Sequence, residues 1–271
     1  MKKIIIVFAA LLMTFNMSAQ KLVILHSNDT HSHIDPVRGS DNDGFGGAIE
    51  RAAFIDSVRT AEGKKNVLLL DAGDFSQGSS YFSIFKGDLE VDIINAIGYD
   101  AVCLGNHEFD NGLDELTRRL KNLKCPVVCA NYDFTGLPVA PYIKPYTIVK
   151  KAGFKIGIIG ALTDVRPVVD GHIAAKLKYT DPAEVINKYA EFLKDEKKCD
   201  LVICLTHIGF DGKDSDISLA RASRNVDVII GGHSHTDLKD IHWESNLADE
   251  KVAIVTDLCW GLYMGSLEVT K

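Results

Sequence analysis

Metal-ligand residue types recur in five short clusters along the chain: Asp29-Thr30-His31, Gly73-Asp74, Gly105-Asn106-His107-Glu108, Thr206-His207 and Gly232-His233-Ser234-His235. Together they offer seven oxygen and nitrogen donors and one further histidine. Seven donors exceed what one zinc-like ion takes. They suit two ions that share a carboxylate, and two ions about 3.5–4 Å apart are the usual apparatus for in-line displacement at phosphorus. Histidine, aspartate and asparagine donors favour Zn, Mn or Fe over Ca or Mg. An open position would remain for the attacking water.

Each cluster has its own logic. Asp29 and His31 stand two apart, and alternate residues of an extended segment point the same way, so both reach one ion. His233 and His235 share that spacing after the Gly231-Gly232 turn and would serve one ion each. Asp74 follows Asp71-Ala72-Gly73, where glycine lets the chain turn and aim the carboxylate back over a strand end. From there it can bridge two ions; the competing role is an Asx-type turn. Asp71 is a rival carboxylate placed in the strand itself. Asn106 supplies a neutral oxygen. His107 beside it suits a general acid for the leaving oxygen, with Asp110 as the carboxylate that orients it and raises its pKa. His207 closes an apolar run.

These clusters need elements to position them. Leu22–Leu25, Val67–Leu70, Ala101–Leu104, Val127–Ala130, Leu201–Leu205 and Val226–Ile230 are short continuous apolar runs, as strands buried on both faces should be. Helical spacing spans 47–62, with Ile49, Ala52, Ala53, Ile55 and Val58 on one side, and also 89–97 and 113–123. Asp181-Pro182 opens another helix to about Lys197. Tyr146–Val149 and Lys155–Gly160 read as an antiparallel pair turning at Ala152-Gly153, and the end of the chain is β-rich. Alternating helix and strand with extra strands implies an α/β layered fold with mixed sheets, in one domain. In such folds ligands bind beyond the carboxyl ends of the strands, which is where all five clusters fall.

Composition bounds the reading. A hydrophobic fraction of 46% and a charged fraction of 25% are ordinary for a globular chain. Lys2-Lys3, the apolar run Ile4 to Met13 and the small residues of Met17-Ser18-Ala19-Gln20 form a signal peptide over residues 1–20, leaving 21–271 as the mature domain. The apolar run is shorter than the ~20 residues a span requires, and no other stretch qualifies, so no membrane span is expected after cleavage. Removal takes Lys+Arg from 30 to 28 against 37 Asp+Glu, a charge of −9. That balance disfavours a nucleic-acid polymer as partner, while bound cations would still admit a small phosphate. The exported chain would be periplasmic or extracellular. Its six cysteines are irregularly spaced, without CxxC, and read as small apolar core residues.

In series, Asn28-Asp29-Thr30-His31, Gly73-Asp74, Gly105-Asn106-His107-Glu108, Thr206-His207 and Gly232-His233-Ser234-His235 resemble the calcineurin-like metallophosphoesterase superfamily. More closely they resemble the catalytic domain of the 5′-nucleotidase family, with Gly46-Gly47, Asn106 to Gly112 and Ala130 to Asp133 also matching. The resemblance implies a four-layer α/β/β/α sandwich. It implies one ion on Asp29, His31, Asp74 and His235, and a second on Asp74, Asn106, His207 and His233. His107 and Asp110 would be the catalytic dyad. It further implies a nucleotide phosphate ester as substrate and a C-terminal domain that grips the nucleoside. The chain stops at Lys271, so a stand-alone catalytic domain is expected, with a separate chain as the supplier of that recognition. Rival substrates are a 2′,3′-cyclic nucleotide, a UDP-sugar or a sulfur-containing ester. A rival of another class is a metal-bearing binding protein without turnover.

Outside the clusters, His26 reads as a core histidine, and Arg166 as a residue able to approach a phosphate or to close a loop salt bridge. Phe75, Tyr81 and Phe82 read as packing or a pocket wall. Trp260 and Tyr263 are candidates for contact with a partner domain.

Overall fold

The computed structural model describes residues 20–271, so the signal-peptide expectation lies, but for Gln20, outside the described residues. Two six-stranded sheets form its centre. The first runs, from edge to edge, Gly265–Thr270, Lys21–Ser27, Val67–Asp71, Ala101–Cys103, Val127–Val128 and Ile143–Lys144. All its pairings are parallel except the first. The second runs His242–Ser245, Lys251–Val255, Val228–Ile230, Leu201–His207, Phe154–Leu162 and Tyr146–Lys151, parallel in the middle and antiparallel at both edges.

Side-chain alternation in the buried strands builds three apolar layers. Leu22 and Ile24 turn toward the second sheet and meet Ile156, Ile158, Ile203 and Leu205. Val23 and Leu25 turn the other way, onto Ile55, Ile94, Leu116 and Leu120 of the helices Ala48–Glu62, Asp88–Ile97 and Gly112–Asn122. Val202 and Cys204 pack outward on Ile186, Ala190 and Leu219 of Pro182–Glu191 and Asp216–Ala222. A strand sandwiched this way has no solvent face, which is why its sequence is apolar at every position. The expected four layers, helices–sheet–sheet–helices, are therefore present.

Several expectations are corrected. Ile49 is 79% exposed, and the buried face of its helix is made by Ala48, Arg51 and Ile55. The helix begun at Pro182 is α-helical only to Glu191 and closes with a π turn over Phe192–Glu196. The strand expected over 127–130 is two residues long. The final strand starts at Gly265, after a loop in which Leu258, Trp260 and Gly261 are left-handed. Helix Ser80–Phe85, edge strand His242–Ser245 and the ribbon Tyr132–Asp133 with Lys178–Tyr179 had no strong local signal. Five cysteines are buried, and burial pushes the Cys129 thiol up to about 12.

Candidate metal centre

The inner strands of both sheets end at one edge of the sandwich. Lys21–Ser27, Val67–Asp71, Ala101–Cys103 and Val228–Ile230 end just before their clusters, and His207 is the last residue of its strand. The five clusters converge there.

Convergence does not come from extended backbone, as the spacing of Asp29/His31 and His233/His235 had suggested. These four residues have φ of 47°, 45°, 82° and 50°, and Asp74 has 53°. Left-handed conformers cost L-residues roughly 1–2 kcal/mol each, so something must hold them. Three backbone bonds zip the first two loops together: Asp29 N to Gly73 O, His31 N to Asp74 O and Ser32 N to Phe75 O, at 2.9, 2.9 and 3.1 Å. His233 N donates to both carboxylate oxygens of Asp29, at 3.0 and 3.1 Å. Gly73 and Gly105 allow the next loop to approach, since a Cβ on Gly73 would stand 2.6 Å from Gly105 N.

Two groups of donors result, Asp29–His31–His235 and Asp74–His207–His233, each with its donor atoms within 4.8 Å of one another. Asp74 Oδ2 lies 2.9 Å from His207 Nε2 and 3.9 Å from His31 Nε2, so it faces both groups. Asp29 Oδ1 lies 3.4 Å from His235 Nε2 and 3.8 Å from both His31 and His207 Nε2. Either carboxylate can span the groups by distance. Asp71 belongs to neither; it accepts from Ser27 Oγ at 2.7 Å inside the strand.

The donors are poised but poorly satisfied by protein. His207 Nδ1 donates to Ala72 O at 2.8 Å, which directs the buried Nε2 toward Asp74 Oδ2 at 2.9 Å. Asn106 Oδ1 is buried without a partner among the described residues. His31 and His235 bring Nε2 to Nε2 at 3.0 Å. Buried polar atoms left this way cost stability unless something binds them. The donor set and its orphaned atoms fit a pair of divalent cations.

Protein charge alone strains these groups. Burial disfavours charge on His207, but the Asp74 and Asp29 carboxylates outweigh it and push its pKa up to about 10. Burial and the His207 charge pull His233 down to about 4. Hydrogen bonds with Asp29 and Cys259 push His235 up to about 10. Burial opposes ionisation of Asp74, yet the His207 charge holds it well below the usual carboxylate range.

His107 sits beside the rim, its ring centroid 5.3 Å from that of His31, and its Nδ1 lies 2.8 Å from Asp110 Oδ2. The Asp110 hydrogen bond raises its pKa against partial burial. His107 N also donates to Asp74 Oδ1 at 2.9 Å.

Some participants escaped sequence reading. Glu108 is fully buried, and its carboxylate accepts from Gly105 N, Asp74 N and Ser76 N at 2.6, 3.0 and 3.0 Å. It fastens two donor loops together; its place in a donor cluster was the only signal. Asn28 donates to Asp29 Oδ2 at 2.6 Å and accepts from Asp257 N at 2.8 Å. Asp216 accepts from Thr206 Oγ1 at 2.6 Å behind His207, with no local pattern to announce it. Arg166 pairs with Asp164 in its loop, with its side chain 68% exposed. Phe75 and Phe82 are buried, as packing residues. His26 is buried, with Nδ1 2.5 Å from Asp257 Oδ2.

Residues 22–237 match the family model described as calcineurin-like phosphoesterase. The chain belongs to that family. It is a family of metal-dependent phosphoester hydrolases with a binuclear centre, which accords with two donor groups sharing carboxylates. Among curated relatives, the chain is 37% identical to snake venom 5′-nucleotidase of Naja atra, over 92% of this chain and 50% of the relative. It is 32% identical to 5′-nucleotidase of Homo sapiens, over 93% and 46%. Among solved structures, a 5′-nucleotidase precursor from Thermus thermophilus superposes with a TM-score of 0.84 at 34% identity, covering 92% of this chain and 51% of that one. The chain thus spans about half the length of the curated relatives it matches.

Proposed function

We propose that this calcineurin-like phosphoesterase hydrolyses nucleotide phosphate esters, in the manner of a 5′-nucleotidase, at the edge where the five clusters meet. The observation that carries the reading is the pair of donor groups facing a shared carboxylate, with a His107–Asp110 dyad at the rim. The nucleotidase names of the relatives support the substrate class.

In this reading Asp29, His31, Asp74 and His235 hold one ion, and Asp74, Asn106, His207 and His233 hold the other. A bound pair of divalent ions supplies positive charge for phosphate oxygens and lowers the pKa of water. The chain's own residues do the rest. Ala72 O fixes the His207 tautomer. Asp110 holds the His107 Nδ1–H, so Nε2 is free to give its proton to the leaving oxygen. Glu108 keeps the Asp74 and Gly105 loops in register.

The signal-like pattern of residues 2–20 supports export, and no helix among the described residues is long and apolar enough to cross a membrane. Mass measurement of the protein recovered outside the cytoplasm should find an N-terminus at Gln20 or Lys21.

The test is hydrolysis by residues 21–271 with Mn or Zn, beside His107→Ala, read as phosphate from AMP, nucleoside monophosphate from a 2′,3′-cyclic nucleotide, UMP from a UDP-sugar and p-nitrophenol from bis-p-nitrophenyl phosphate. Release from AMP, lost in the variant, supports the reading. Turnover of the generic diester alone would retain the hydrolytic centre and remove the nucleotide assignment. No turnover of any ester by the metal-loaded chain would favour a binding protein.

A further inference from the structure

We infer that Trp260, stacked on His33 at the rim of the metal centre, is a platform on which the planar base of the substrate stacks. The inference rests on the nucleotide reading above for its substrate class. Its grounds are geometric.

Trp260 lies in a loop tied to both rim loops. Its backbone N–H donates to Asp29 O at 2.6 Å, and Leu258 N donates to Thr236 O at 3.0 Å. Asn28 Nδ2 donates to Leu258 O at 2.9 Å. The neighbouring Cys259 is in contact with His235. Leu258 and Trp260 are left-handed, with φ of 54° and 63°. Non-glycine residues persist in that region only where surrounding contacts hold them, and such strain gathers at binding sites. Here the contacts that hold the loop are those of the donor-bearing loops.

The strained loop does not bury its indole. Trp260 is 38% exposed, so packing is not its full use. One of its faces stacks on the His33 ring, with centroids 4.8 Å apart and planes 18° from parallel. His33 is oriented in turn by a 2.9 Å hydrogen bond between its Nδ1 and His31 O. A half-open, immobilised aromatic pair two residues from His31 offers a flat apolar surface beside the place a phosphate would occupy. Stacking suits a nucleobase of any kind, because every base has a π-face. Trp243 is a built-in control: it is 53% exposed on the outer edge strand, apart from the donor loops.

The experiment uses the metal-loaded protein with Trp243→Phe, which leaves Trp260 as the only indole. Its fluorescence is titrated with non-hydrolysable phosphonate analogues of AMP and of ribose 5-phosphate. Saturable quenching by the adenine-bearing analogue alone is expected. In parallel, Trp260→Ala should lower the AMP to ribose 5-phosphate ratio of kcat/KM about tenfold, through KM, with Trp260→Phe restoring most of it. Equal quenching by both analogues, or an unchanged ratio in Trp260→Ala, overturns the inference while leaving AMP hydrolysis intact. Base-selective quenching in a protein that releases no phosphate from AMP would sustain the platform and defeat the nucleotidase reading.

Discussion

The two donor groups differ in depth. Asp74 and His207 are sealed, with side chains 3% and 0% exposed, and His207 is locked by a backbone carbonyl. Across the centre, His235 has 40% of its side chain exposed and His31 7%, beside the exposed indole of Trp260. An ion held by the inner group would be the more shielded of the two and the slower to exchange. An ion held at the rim would exchange with solvent the more readily. Each group thus has two buried donors, and the groups differ in the third, exposed at His235 and half-buried at His233, with Asp74 facing both.

The largest expected effect tests the shared carboxylate. Asp74→Ala should abolish phosphate release and remove both ions, read by metal analysis of the dialysed protein. An ion retained at full occupancy would mean that Asp29 spans the groups instead. Next is the dyad: His107→Ala should lower kcat by about 10²–10⁴ with both ions kept. Asp110→Asn removes the cause of the raised His107 pKa. An acid with a lower pKa loses its proton earlier, so the alkaline limb of kcat should move to lower pH. A limb that stays put would separate His107 from the proton.

Glu108→Gln is the intermediate case. All three groups facing that carboxylate are N–H donors. A glutamine amide would set its own donors against at least one of them. Metal affinity should fall about 10–100-fold, as for other residues that orient ligands. Chelator titration should show the rim ion leaving before the inner one in the parent protein, and that order blurring in the variant. The smallest effect concerns Asp216, whose carboxyl burial pushes up to about 7. The folded state therefore binds its proton more tightly than the unfolded chain, and this group favours folding increasingly as pH falls from about 7 toward 4. In metal-free protein, Asp216→Asn should raise Tm by a few degrees more at pH 8 than at pH 5. Equal shifts at both values would exclude ionisation of Asp216 as the cause.

Much of this could be read from the chain alone, for a definite reason. Strands buried on both faces are apolar at every position, so Leu22–Leu25, Val67–Leu70 and Leu201–Leu205 announce themselves, and the polar residues that follow must lie at their ends. Short edge elements such as His242–Ser245 carry no such run, and Ile49 shows that an apolar residue at helical spacing is not obliged to be covered.

Residue type and position along the chain therefore determined the donors, their placement beyond strand ends and the layered architecture. Only the tertiary structure decided which donors meet. Asp29 faces His235, and Asp74 faces His207, because the strand order of two separate sheets sets their loops side by side. It also decided how the side chains aim, through left-handed backbone at Asp29, His31, Asp74, His233 and His235 where the spacing alone suggested extended chain. Those conformations are held by hydrogen bonds from other loops, an energy that no local stretch of sequence contains.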